Sequence, residues 1–250
     1  MDKRHQERRH QARLITMTPL HLMSGGAAQG LVRQLQADFE TSSGLRLDGV
    51  FGAVGAMKQR LDGGAPCDVL ILTQTLIDGL VKSGQVRAGT DRKVGTVKTG
   101  VAVKAGTPWP AVDTADNLRQ ALRKATAIYF PDPQLATAGI HFMKVLDKLG
   151  IAAEVTERLR PYPNGATAMK AMADCDDPKV IGCTQVTEIL ITVGVHLVAD
   201  LPHIFELATV YTAAVCTASQ HPQAAAQLID LLISPAHASL RQQGGFLPAL

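Results

Sequence analysis

One unit recurs along this chain and limits its fold more than any other feature: an apolar run of strand length, a turn of small residues, and a helix that begins at once. Leu20-His-Leu-Met followed by Ser24-Gly-Gly-Ala-Ala-Gln-Gly is the first instance, and Leu45 to Phe51 followed by Gly52-Ala-Val-Gly-Ala-Met the second. Ala125 to Phe130 is a third strand, ended by Pro131 and Pro133. Beyond it Thr137-Ala-Gly opens a helix carrying Ile140, Met143 and Leu146 at helical spacing. Pro161-Tyr-Pro-Asn-Gly-Ala-Thr-Ala-Met is a further loop-to-helix turn, and Val180 to Thr184 leads into Gln185-Val-Thr-Glu-Ile-Leu. Val69-Leu-Ile-Leu, apolar throughout, suits a strand covered on both faces. Strands that alternate with helices in this way predict an α/β chain with mixed, mostly parallel sheets.

Small residues at a helix start leave its first backbone N–H groups uncovered, where the helix dipole is positive and an anion is favoured. The candidates are Gly25, Gly26 and Ala27 in the first turn and Ala53, Val54 and Gly55 in the second. Thr137, which can cap its helix, forms a third set with Ala138 and Gly139. Asn164, another cap, heads a fourth with Gly165, Ala166 and Thr167, and Thr184 and Gln185 are the polar pair of the last turn. Each turn can equally be a tight strand-to-helix connection with water beyond it, since glycine serves either purpose. Their recurrence on both sides of a change of lobe argues for one cleft that closes on a small anion. Thr73 and Gln74, at the carboxyl end of a strand, either face such a ligand or simply start a loop. Two titratable groups sit beside the expected cleft. Glu188 is either a proton-transfer group or a first-turn acid complementing the dipole, and His141 is either catalytic or turned to solvent or core.

The first lobe is expected over residues 17–98 with a return over 206–250, and the second over 99–205. Residues 1–16 form a basic arm: within it Lys3, Arg4, Arg8, Arg9 and Arg13 against Asp2 and Glu7 account for the whole formal charge of +3. A solvated tail is the reading of that arm. No apolar stretch reaches the length of about 18 residues that a membrane helix needs. The four cysteines lack metal-like or CxxC spacing, and HExxH, Walker A and GxSxG patterns are absent. Aromatics at 4% offer no stacking platform for nucleic acid, and Ser24 to Gly30 is not a GxGxxG fingerprint. No metal, cofactor, nucleic-acid partner or membrane insertion is therefore expected. Nor do the N-terminal charges precede an apolar core of about seven residues. That places the chain in the cytoplasm as written, or in the periplasm if a leader has been removed; a transporter partner follows only in the second case.

The order and wording of several motifs resemble the periplasmic solute-binding proteins of the molybdate-binding type. They are Leu22-Met-Ser-Gly-Gly-Ala-Ala, Phe39-Glu-Thr-Ser-Ser-Gly, Gly63-Gly-Ala-Pro-Cys-Asp-Val-Leu-Ile, Asp132-Pro with Ala138-Gly139, Lys148-Leu-Gly and Gly244-Gly-Phe. The resemblance implies the type 2 fold, two lobes joined by two crossover strands, with an oxyanion or carboxylate held between them by backbone N–H groups and short hydroxyls. Departures from that pattern bear on the ligand. Ala27 and Val54 stand where molybdate binders place ligand serines, and Gln185 where they place a tyrosine, while the backbone positions at Ala138 and Gly165 remain. Without those hydroxyls a doubly charged tetrahedral anion stays poorly paired. The expected ligand is thus a small organic anion, a carboxylate, with molybdate disfavoured. Gln185-Val-Thr-Glu-Ile-Leu, Val193-Gly-Val and Leu201-Pro carry a shorter resemblance to the aconitate isomerases, built on the same fold. It implies, as the alternative, allylic proton transfer on an unsaturated tricarboxylate, with Glu188 or His141 as the base.

Overall fold

A computed structural model describes residues 18–248; the basic arm expected over residues 1–16 lies outside them. Strand β1 (Pro19–Gly25) passes through a 3-10 turn at Gly26–Ala28 into helix α1 (Gln29–Ser43), and β2 (Arg46–Gly52) passes through Ala53 into α2 (Val54–Asp62). Next come β3 (Val69–Thr73), α3 (Gln74–Lys82) and the long strand β4 (Arg92–Lys104). A run of shorter elements follows: α4 (Ala115–Lys124), β5 (Ala127–Pro131), α5 (Thr137–Lys148), α6 (Ala152–Val155), β6 (Leu159–Tyr162), α7 (Gly165–Asp174), β7 (Val180–Gln185), α8 (Val186–Leu190) and β8 (Val195–Asp200). Strand β9 (Ala208–Val215) returns the chain to the first half, where α9 (Pro222–Ile233) and α10 (Ala238–Gln243) close it.

The strand order is β2-β1-β3-β9-β4-β7-β5-β6, with β8 also paired to β4. Ladders toward the two ends, β1 with β2 and β3 and β5 with β6 and β7, are parallel, because a helix crossover joins their strands. Those made by β4 and β9 are antiparallel. Strand β4 belongs to both halves: Arg92 to Lys98 pair with β9, whereas Thr99 to Lys104 pair with β7 and β8. Buried side chains divide in the same way. Leu20, Leu70, Phe39, Tyr211 and Leu228 share one cluster, while Val101, Leu118, Phe130 and Phe142 form a second and Met169, Met172 and Tyr129 a third. The result is the two-lobed α/β fold.

Local physics accounts for most elements. Val69 to Leu72 are fully buried, as an unbroken apolar run requires. Helix α4 starts where the Thr114 hydroxyl accepts from the Asn117 N–H at 3.1 Å, and ends with Arg123 and Lys124 in its last turn. Helix α5 departs from expectation in two ways. Ala136, not Thr137, is its N-cap, and its buried face is Ala138, Gly139, Phe142, Val145 and Leu146 rather than the stripe through Ile140 and Met143. The C-terminal Gly244-Gly-Phe turns back through Gly245, whose φ of 90° suits glycine, and buries Phe246 in the first lobe. Asp68 ties this lobe together: its carboxylate accepts from the His21 N–H at 2.8 Å, the Ser219 hydroxyl at 2.7 Å and the Gln220 N–H at 3.0 Å.

Candidate functional site

The turns that follow β1, β2, β5, β6 and β7 meet between the lobes, at the carboxyl ends of these strands. There they enclose a cavity of about 20 Å³, room for about one water molecule. Gly26 and Ala27 come from the first turn, Ala53 and Val54 from the second, Thr137 and Ala138 from the start of α5, Asn164 and Gly165 from the start of α7, and Gln185 and Glu188 from the β7–α8 junction. The lobes touch around it: the Gly55 N–H donates to the Leu135 carbonyl at 3.0 Å.

Glu188 nearly fills the space. It is 4% exposed, its Oε2 accepts from the Thr184 hydroxyl at 2.6 Å, and its carboxyl lies between glycines of opposite lobes. A Cβ on Gly26 would stand 2.1 Å from Oε1, and one on Gly165 would stand 2.0 Å from Oε2. With the Glu188 carboxyl where it stands, only hydrogen fits at either position, so these two glycines are matched to that side chain rather than to a turn conformation. Burial raises the Glu188 carboxyl above the ordinary glutamate range, opposed by the Thr184 hydroxyl and the backbone N–H groups of Ala166, Gly165 and Gln185. Gln185 is the second buried polar group of the cavity. It is 3% exposed, and neither its Oε1 nor its Nε2 has a partner among the described residues. A buried primary amide in that state is costly unless something else bonds to it.

Other expected site residues have other duties. Gly25 packs against Val54 and Tyr211, and Gly139 against the backbone carbonyls of Pro131 and Asp132, so the absence of a side chain serves helix–strand contact in both. The Gly55 amide is taken by Leu135. Asn164 does cap α7, accepting from the Thr167 N–H at 2.9 Å, and the Thr167 hydroxyl donates to the same oxygen. Ala166 and Thr167 line an outer groove of about 1030 Å³ instead, beside Arg33, Phe51 and Lys170. His141 points away, its Nε2 2.7 Å from the Phe205 carbonyl oxygen, because that face of α5 packs toward the loop before β9. Thr73 and Gln74 do not reach the cavity; Gln74 accepts from the Thr212 hydroxyl at 2.6 Å. Tyr211 of β9 lines the cavity and has no local sequence signal; only an alternating apolar strand marks its position. Its hydroxyl is pushed up by burial and by the Glu188 charge. Among the described residues no His, Cys, Asp and Glu group could hold a metal ion, and no helix is long and apolar enough to cross a membrane.

Residues 20–247 match the family of bacterial extracellular solute-binding proteins. An aconitate isomerase of a Pseudomonas species is 27% identical over 241 residues, which cover 93% of this chain and 88% of that protein. Among solved structures, the periplasmic molybdate-binding protein of Azotobacter vinelandii superposes with a TM-score of 0.76 at 18% identity, over 92% of this chain and 100% of that one. The sulfate-binding protein SubI of Mycobacterium tuberculosis does so with a TM-score of 0.71 at 20% identity, over 92% and 87%. At these identities the structural likeness concerns the fold alone.

Proposed function

The chain belongs to the bacterial extracellular solute-binding protein family, and from that membership we propose that it binds a small organic acid, a carboxylate, by closing its lobes around the cavity at Gly26, Ala138, Gly165 and Gln185. One observation carries this reading: the buried Gln185 amide, unpartnered, stands among helix starts contributed by both lobes. The two N–H donors of such an amide suit a carboxylate, which only accepts. The closed cavity is too small for any such acid, so the lobes part to admit it and the ligand takes up part of the closed contact. Ala27 and Val54 line the wall with no hydroxyl, which disfavours molybdate. Thermal unfolding against mono-, di- and tricarboxylates, sulfate and molybdate tests the assignment. A carboxylate at about 100 times its Kd adds about 2.7 kcal/mol and raises the melting point. Stabilisation by molybdate or sulfate alone refutes it.

A second reading is favoured by Glu188 together with the aconitate isomerase relative. In it the Glu188 carboxylate removes a proton from one allylic carbon of an unsaturated tricarboxylate, the double bond shifts, and the same proton returns to the far carbon. No oxidant or co-reactant is needed. Backbone N–H groups at the start of α5 and the Tyr211 hydroxyl line the same cavity and are the donors available to the enolate that develops. Proton NMR of cis- and trans-aconitate with the protein decides between the readings: interconversion supports the isomerase, little deuterium entering from D2O if the same proton is returned, and binding without interconversion supports the carrier.

A further inference from the structure

The amide cradle at the start of α7 already holds an acid group of the protein's own. The Glu188 carboxyl accepts from Thr184 at 2.6 Å and is favoured in its charged form by the backbone N–H groups of Ala166, Gly165 and Gln185, the donors that an incoming oxyanion would use. It touches both lobes, since Gly26 and Gly165 lack the Cβ atoms that would collide with its two oxygens. Among the described residues no cationic side chain lines the cavity. Two full negative charges brought together there would have no counter-charge, whereas two carboxyl groups can share one proton, as close carboxylate pairs do.

We propose that Glu188 sets the ligand class: by occupying the cradle it admits a ligand acid group only with a proton shared between the two, which accepts carboxylic acids and excludes fully ionised sulfate and molybdate. This deepens the small-acid reading and rests on it. Gln185 supplies the second half of the recognition, because its unpartnered Nε2 can donate to the ligand carboxyl oxygen that does not carry the shared proton. Of the groups facing Glu188, Thr184 and Gln185 of β7 are neutral, and Tyr211 of β9 is the titratable one. On β4 and β8, which also pack against α8, Lys98 pairs with Asp200 at 3.6 Å and Glu206 at 2.6 Å, Lys104 bonds the Cys175 carbonyl, and His196 packs beside Trp109; on α7 and α1, which do so too, Lys170 pairs with Asp174 and Arg33 lies over the Phe51 ring.

The test is calorimetric titration and thermal unfolding of the wild type, Glu188→Gln and Glu188→Ala with carboxylates, sulfate and molybdate between pH 5.5 and 8.5 (about one unit either side of neutrality and beyond). In the wild type, carboxylate affinity falls about tenfold per pH unit once the shared proton must be taken from solvent, and sulfate and molybdate do not bind. Glu188→Gln, nearly isosteric and expected to fold, loses that pH slope. Glu188→Ala vacates the cradle and gains sulfate or molybdate binding. Oxyanion binding by the wild type, a pH slope unchanged in Glu188→Gln, or no oxyanion gain in a folded Glu188→Ala overturns the proposal. Should Glu188→Ala not fold, the slope in Glu188→Gln decides. Should no carboxylate bind any form, the small-acid reading fails, and the Glu188 assignment stands or falls on the oxyanion arms.

Discussion

Replacing Gln185 by leucine separates binding from stability in a way few substitutions can. Both polar atoms of this side chain are buried without a partner among the described residues, and the cavity beside them, at about 20 Å³, holds about one water. An unsatisfied buried polar group costs about 1–3 kcal/mol. Leucine has nearly the same volume and no polar atoms, so it removes that cost and preserves the packing at the β7–α8 junction. The unliganded Gln185→Leu protein is therefore expected to be about 1–3 kcal/mol more stable than the wild type. For a chain of this length each kcal/mol moves the melting point by about 2–4 °C. The ligand's own stabilisation, about 2.7 kcal/mol at 100 times Kd, is expected to vanish. Urea unfolding with and without the best carboxylate of the panel measures both quantities. A loss of more than about 1 kcal/mol in the unliganded variant would mean the amide is well satisfied in the native protein and the reasoning fails. Ligand stabilisation retained in full would refute it equally.

Three further sites respond to substitution: Gly165 and Glu188 at the cavity, and Asp68 in the first lobe. Gly165→Ala drives a Cβ to 1.9 Å from the Thr184 hydroxyl oxygen and 2.0 Å from Glu188 Oε2. Relief of that overlap costs about 1–3 kcal/mol and weakens carboxylate binding about tenfold or more in calorimetry, whereas Gly79→Ala, at an exposed position of α3 with open space around it, is neutral or stabilising. Glu188 is raised in the folded state chiefly by burial, so the stability it permits is full below the ordinary glutamate value and is lost as pH rises through the folded one. Glu188→Gln should flatten that loss in unfolding free energies measured from about pH 5 to 9, about 1.4 kcal/mol being at stake per pKa unit; an unchanged profile counts against a carboxyl raised by burial. Asp68 behaves oppositely. Burial would raise it, but Ser219 and the backbone N–H groups of His21, His221 and Gln220 together hold it below the usual aspartate range. Its contribution is present above the unfolded value and lost as pH falls through the folded one. Asp68→Asn is expected to cost about 2–4 kcal/mol at pH 7 and to shift the acid unfolding limb, read by circular dichroism; a melt identical to wild type at pH 7 refutes the role given to this cluster.

The sequence by itself determined the α/β character and the location of the small-residue turns, because strand runs, helix periodicity and caps such as Asn164 depend on neighbours a few residues away. It also marked Gly26, Ala138 and Gly165, which face one cavity, since a backbone left open for close approach needs a small residue wherever it occurs, and Val54 and Gln185, which stand in the turns of the same kind. Only the tertiary structure decided which glycines face that cavity and which, like Gly25 and Gly139, let a helix or strand pack closely: the residue type is identical and the neighbour differs. The same holds for His141, whose place on α5 is local but whose partner, the Phe205 carbonyl, is set by how the loop before β9 crosses the second lobe. Tyr211 reaches the cavity through strand pairing with β3 and β4, contacts far apart along the chain that no local pattern encodes. The raised proton affinity of Glu188 is likewise a property of the assembled site, because burial, rather than its position in a short helix, lifts the carboxyl above the ordinary range.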